Sequence, residues 1–135
     1  MPIERDDTLP VRTGEDVVRV RQEVRNRAVQ AGFGLVDQTK IVTAASELGR
    51  NTLDYGGGGT VRLEVLQESG RRGIRLTFED KGPGIPDTER ALKDGYTTGG
   101  GLGLGLGGAR RLCSEFSIDS RPGEGTKVTI ARWTT

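Results

Sequence analysis

Apolar positions change their period along this chain, and each change marks a new element. From Glu15 to Ala31, Val17, Val20, Val24 and Ala28 recur at three- and four-residue spacing with charged residues between them. That spacing predicts an amphipathic helix, which Gly32 ends. Gly32-Phe-Gly34 reads as a turn. The same period returns from Asp37 to Tyr55, where Ile41, Ala44, Ala45, Leu48 and Leu53 line one side of a second helix. It is expected to stop at Gly56–Gly59, where helix propensity collapses. Then the period drops to two. Thr60–Leu66 and Gly73–Glu79 alternate apolar and polar residues, and the polar connection Gln67–Arg72 joins them as an antiparallel hairpin.

The remaining stretches are shorter. Thr8–Val11 is either an edge strand or the lead-in to the first helix. Asp80–Pro86 is too rich in Gly and Pro for regular structure, and Asp87–Asp94 is predicted as a short helix. A glycine run follows, then a helix over Leu106–Phe116 with Leu112 and Cys113 on its inner side. Phe116–Asp119 and Thr126–Trp133 close the chain as strands around the turn Arg121-Pro-Gly-Glu-Gly125. Pairs of helices alternating with pairs of strands imply an α+β, two-layer sandwich rather than a doubly wound parallel sheet.

Composition narrows the chemistry. A length of 135 residues fits one domain, spanning 1–135. Charged residues reach 29% but nearly cancel to a net charge of +1, so neither nucleic acid nor an anionic membrane is expected as partner. The lone cysteine, Cys113, is read as a core residue and cannot form an internal disulfide, which points to a reducing compartment. The N-terminus MPIERDDTLP is charged throughout, and no apolar run approaches the roughly 20 residues that cross a bilayer. A cytoplasmic location is the expectation. There is no histidine, which removes His bases, catalytic triads and ordinary zinc sites. Glycine, in contrast, occurs 22 times, well above the background of roughly 7%.

Three segments concentrate groups that a core does not need. Glu47 and Asn51 lie four residues apart on the second helix and therefore share a face. Alone, that pair reads as a solvated polar face. Asp80-Lys-Gly82-Pro-Gly84 follows a strand. Its glycines let backbone approach a flat ligand, and the carboxylate can accept from an exocyclic amine; an analogue without the amine leaves a buried group unpaired. Alone, this segment reads as a tight turn with an Asx contact. The third is Thr97–Gly108, with seven glycines within Gly99–Gly108 running into Ala109-Arg-Arg-Leu. Such a stretch costs much backbone entropy, which makes sense where bare N–H groups converge on an anion. Gly103–Gly108 matches G-x-G-x-x-G, yet Tyr-Thr-Thr-Gly-Gly precedes it where a dinucleotide motif needs a buried strand. No Gly-Lys-Ser/Thr follows to make a Walker A loop.

Asn on a helix, Asp-x-Gly-x-Gly after a strand, a Gly-rich segment opening a helix and Gly125-Thr126 before the last strand together resemble the GHKL ATPase superfamily. Gly32-Phe-Gly-Leu-Val-Asp-Gln, Ser46-Glu-Leu-Gly-Arg-Asn, Asp94-Gly-Tyr-Thr-Thr-Gly-Gly-Gly-Leu-Gly and Phe116-Ser-Ile-Asp-Ser are similar to the small serine/threonine kinases of bacterial partner-switching, or stressosome, modules, of the RsbT type. The resemblance implies the Bergerat fold, a mixed but mostly antiparallel sheet covered by helices on one face. It implies ATP and Mg²⁺ as cofactors, with Asn51 as metal ligand and Glu47 as the catalytic carboxylate. Asp80, Gly82, Gly84, Ile85 and Thr126 would bind adenine; Gly101, Leu102, Gly103, Leu104 and Gly105 would wrap the phosphates. Arg110 and Arg111 would touch phosphate or a partner, or be simply solvated. The implied substrate is a Ser or Thr of a STAS-domain antagonist, with a downstream phosphatase of the PP2C type as second partner. An anti-sigma factor of the same superfamily is the alternative.

Overall fold

The computed structural model describes residues 3–84 and 105–134. Its elements are β1 (Ile3–Val11), α1 (Gly14–Gln30), α2 (Leu35–Asp54), β2 (Gly59–Glu68), β3 (Arg71–Asp80), α3 (Gly105–Arg111), β4 (Glu115–Arg121) and β5 (Gly125–Trp133). The five strands form one sheet in the order β1-β2-β3-β5-β4. Among the described residues every neighbouring pair is antiparallel, so the expected mixed sheet is here purely antiparallel.

Local chemistry accounts for the boundaries. Thr13 caps α1 by accepting from the Asp16 N–H at 3.1 Å, and Asp16 accepts in return from the Arg12 N–H at 2.9 Å. These are reciprocal caps for otherwise orphaned donors. The β2–β3 hairpin turns on Ser69 and Gly70, both at positive φ (53° and 77°), the backbone of a tight turn whose twist matches the strands. That turn is shorter than the expected Gln67–Arg72 connection, and the strands are correspondingly longer.

One face of the sheet carries the core. Val61, Leu63, Ile74, Leu76, Phe78 and Ile130 from β2, β3 and β5 pack with Val20, Val24, Ile41, Ala45 and Leu48 from α1 and α2. Charged residues tie the layers at the margins. Arg27 of α1, almost fully buried, bonds Asp7 of β1 and Glu23 at 2.6 Å each. Arg132 of β5 donates to Asp37 of α2 at 3.1 Å and to the Leu112 carbonyl at 2.7 Å. On the opposite face Glu64 is buried beneath two guanidiniums: Arg75 grips both its oxygens at 2.8 Å and Arg62 lies 3.7 Å away.

Two expected boundaries change. The first strand is not Thr8–Val11 but a nine-residue edge strand, because β2 extends far enough to pair it from Ile3 onward. The helix expected over Leu106–Phe116 ends at Arg111. The Ser114 N–H is taken by the Ala131 carbonyl at 2.8 Å, which starts β4 and puts Phe116 in a strand. Leu112 and Cys113 do pack against the core, as expected. The helix expected over Asp87–Asp94 lies outside the described residues.

Candidate functional site

Asp80 ends β3 with Gly59 of β2 opposite it on one side and Thr126 of β5 on the other. Its carboxyl is nearly buried, and Oδ1 accepts from the Gly82 N–H at 2.9 Å. Burial pushes this carboxyl above the ordinary carboxylate range; hydrogen bonds from the Gly82 and Thr126 amides partly offset that rise. A desolvated carboxylate held by backbone on one side is a strong acceptor for a donor arriving from the other.

Glycines let three chain segments meet around it. A Cβ on Gly56, just past the end of α2, would lie 2.3 Å from the Asp80 Cγ, and one on Gly82 would lie 2.7 Å from the Gly56 backbone. Gly84 adopts φ +78°, and a Cβ there would lie 2.2 Å from the Arg121 carbonyl. The Gly123 N–H donates to the Pro83 carbonyl at 2.7 Å, so the Asp80–Gly84 loop is fastened to the β4–β5 turn. A cleft of about 210 Å³ lies on the outer side of this junction, lined by the exposed cross-strand row Glu79, Lys127 and Asp119 with Arg121 and Glu124, behind Asp80 and Thr126.

The last turns of α2 carry Glu47 and Asn51. Glu47 is 3% exposed, so the solvated-face reading does not hold for it; Asn51 is half-buried. The Asn51 carbonyl accepts from the Tyr55 and Gly56 N–H groups at 3.0 and 3.1 Å. The helix end is thereby coupled to the glycine that touches Asp80. Asn51, Asp80, Gly82, Gly84 and Thr126 thus lie where α2 ends against the ends of β3 and β5, with Glu47 one turn earlier on α2. Gly105 opens α3, which packs on α2 through Leu106 and Ala109. Ile85, Gly101, Leu102, Gly103 and Leu104 lie outside the described residues.

The donor set can be tested against the implied groups. The Asp80 carboxylate accepts and the Thr126 hydroxyl in register beside it can donate or accept, a pair that suits the amine edge of adenine. For a metal, no cluster of three or more His, Cys, Asp or Glu is formed among the described residues. Asn51 offers one hard amide oxygen, which fits a hexacoordinate Mg²⁺ that arrives with a triphosphate and its own waters.

Sequence reading passed over two participants. Gly56 was counted only as a helix stop, although four consecutive glycines exceed what a stop requires. Ser120 of β4 lies with its Oγ 2.8 Å from the Thr126 Oγ1. A Ser at the end of an alternating strand carries no signal of its own.

Residues 36–134 match the family model of histidine kinase-, DNA gyrase B- and HSP90-like ATPases. The chain belongs to that family. The match takes in every residue of the site and begins at the start of α2. The serine/threonine-protein kinase RsbT of Bacillus subtilis is 46% identical over 123 residues, 91% of this chain and 92% of that one. An anti-sigma F factor of Bacillus licheniformis is 34% identical over 101 residues, 70% of this chain and 68% of its own. The solved RsbU and RsbW domains of a Mycobacterium tuberculosis protein share the fold, with a TM-score of 0.64 at 23% identity over 98% of this chain and 32% of theirs. As a member of this ATPase family, the chain takes ATP as its nucleotide. No helix among the described residues is long and apolar enough to cross a membrane.

Proposed function

We propose that this chain is a serine/threonine-protein kinase of a partner-switching pathway, transferring the ATP γ-phosphoryl group to a Ser or Thr of a STAS-domain antagonist. It also binds and activates a downstream phosphatase of the PP2C type, and it works in the cytoplasm as a single domain. The carrying observation is the 46% identity to RsbT across nine-tenths of both chains.

The geometry supports a division of labour. Asp80 accepts from the adenine amine, with Gly82 and Gly84 forming the wall of that pocket and Thr126 completing it; by the family resemblance Ile85 would join them. Asn51 would hold Mg²⁺, which supplies charge neutralisation on the phosphates when bound. By the family resemblance, Gly101, Leu102, Gly103, Leu104 and Gly105 would wrap the triphosphate. Glu47, one turn before Asn51 and shielded from bulk water, takes the proton from the attacking hydroxyl. The oxygen thus freed bonds to the γ-phosphorus while the bond to the β–γ bridging oxygen breaks and ADP leaves. Phosphoryl transfer asks little more of a protein than positioning and charge stabilisation, which suits a site without histidine.

The test is label transfer from γ-labelled ATP to a purified STAS partner, comparing the native chain with Glu47→Gln. Loss of a general base lowers transfer by roughly 10²–10⁴-fold, while ATP affinity stays within a few-fold. Transfer by the variant at native rate removes Glu47 from the mechanism. Absence of label on any STAS partner, with tight capture of a sigma factor instead, replaces the kinase by the anti-sigma reading.

A further inference from the structure

Helix α3 is too weak to stand by itself. Three of its seven residues are glycines, the poorest helix formers after proline, and an isolated helix of that length is not stable in water. Contacts from elsewhere hold it. Leu106 and Ala109 are buried where it packs on α2. Its C-terminal end tightens as the Leu112 N–H donates to the Ala109 carbonyl at 3.2 Å and the Cys113 N–H to the Arg110 carbonyl at 3.3 Å. The Leu112 carbonyl then takes its partner from outside the helix: Arg132 of β5 donates to it through Nη1 at 2.7 Å.

Asp37 aims that guanidinium. Arg132 stands at an inward position of β5, opposite Ile74, and donates to Asp37 Oδ1 through Nε at 3.1 Å and Nη2 at 2.5 Å, which leaves Nη1 for Leu112. Asp37 lies in the first turn of α2, where the helix dipole favours a carboxylate. Both side chains are mostly covered, so salt screens the pair little. The link joins the start of α2, the last strand and the end of α3. Asp37 belongs to the Gly32–Gln38 segment, to which the nucleotide site gives no role. We infer that Arg132, aimed by Asp37, is a positioning residue for phosphoryl transfer: it fixes the C-terminal end of α3 and thereby holds Gly105, at the other end of that helix, against the triphosphate. This rests on the reading that puts Gly105 at the triphosphate. The adenine side, at the opposite end of β5 around Thr126, does not depend on the link.

The experiment is calorimetric binding of ATP and of adenosine to the full chain and its variants, with thermal melts alongside. Arg132→Met removes the donors and keeps the bulk. It should weaken ATP about tenfold, the loss of one hydrogen bond to a charged donor, while adenosine stays within about twofold. Asp37→Ala should do the same, and Asp37→Asn, which still accepts, should do less. With both partners replaced, the loss should not exceed that of Arg132→Met alone, because one link is broken either way. Equal losses for ATP and adenosine, no loss for either, or losses that multiply in the double variant overturn the inference. Should Arg132→Met fail to fold, Asp37→Asn carries the same test. A native chain that binds ATP no tighter than adenosine would instead overturn the triphosphate reading beneath it.

Discussion

Replacing Gly56 by Ala tests how closely α2 is drawn onto Asp80. Gly56 has no positive φ, so an alanine backbone is unstrained there. Its Cβ, however, would lie 2.3 Å from Asp80 Cγ, 2.4 Å from Oδ2 and 2.6 Å from Cβ. The clash reaches Asp80 Cβ, which a change of rotamer cannot move away, so the carboxyl must leave its place or α2 must lift. Overpacking of this kind costs about 1–3 kcal/mol of stability. Displacing the carboxylate removes the charged hydrogen bond proposed to the adenine amine, about 1.5–3 kcal/mol, or roughly a 10- to 150-fold loss of ATP affinity. Gly57→Ala is the control. Gly57 has φ +76° and open space where a Cβ would stand, so alanine costs about 1–2 kcal/mol of backbone strain without touching Asp80. Both variants should melt at lower temperature, while calorimetry should find ATP affinity lost in the first and kept in the second. Equal affinities in the two, in either direction, would refute the contact as the cause.

The proposed acceptor role of Asp80 gives affinity and stability opposite responses to pH. Its folded pKa is raised above the ordinary 3.8, so its contribution to stability is full below 3.8 and lost as pH rises through the folded value. ATP affinity should instead be full at high pH and fall on acidification at a pH above 3.8; calorimetry against a parallel titration of inorganic triphosphate checks this, and an affinity flat down to 3.8 refutes it. Asp80→Asn should melt at or above the native temperature at pH 7. On the opposite face, Arg75→Met leaves the buried Glu64 carboxylate with Arg62 alone at 3.7 Å, a cost of about 2–3 kcal/mol. Thermal melts should show a drop of roughly 6–12 °C, mostly recovered by pairing the change with Glu64→Gln. The Cys113 thiol, pushed up to about 12 by burial, should resist alkylation at pH 8 in the folded chain and react on unfolding.

Much of this architecture was legible in periodicity. The α1 and α2 stripes and the β2–β3 alternation were plain because each buries one face, and burial imposes its own period on the sequence. The start of β1 was not, because Glu4, Arg5, Asp6 and Asp7 have no apolar face; they hold an edge by pairing with β2 and by ion pairs such as Arg62 to Asp6 at 2.6 Å. The end of α3 was missed because Leu112 and Cys113 continue an apolar stripe whose backbone has already turned toward β4. In the site, Asp80 and the glycines that follow it were marked by their composition. Gly56 and Ser120 were not, since their contribution lies in register across strands and in close approach between segments remote in sequence.

The central claim is that a γ-phosphoryl group bound at this end of the sandwich passes to a Ser or Thr on another protein. Single-turnover incubation with γ-labelled ATP, followed by phosphoamino-acid mapping of every chain present, addresses it most directly. The expected result is acid-stable label on one Ser or Thr of the STAS partner, none remaining on this chain, and none at all with Asp80→Asn. Label that remains on this chain, or transfer that survives Asp80→Asn at native rate, would contradict it.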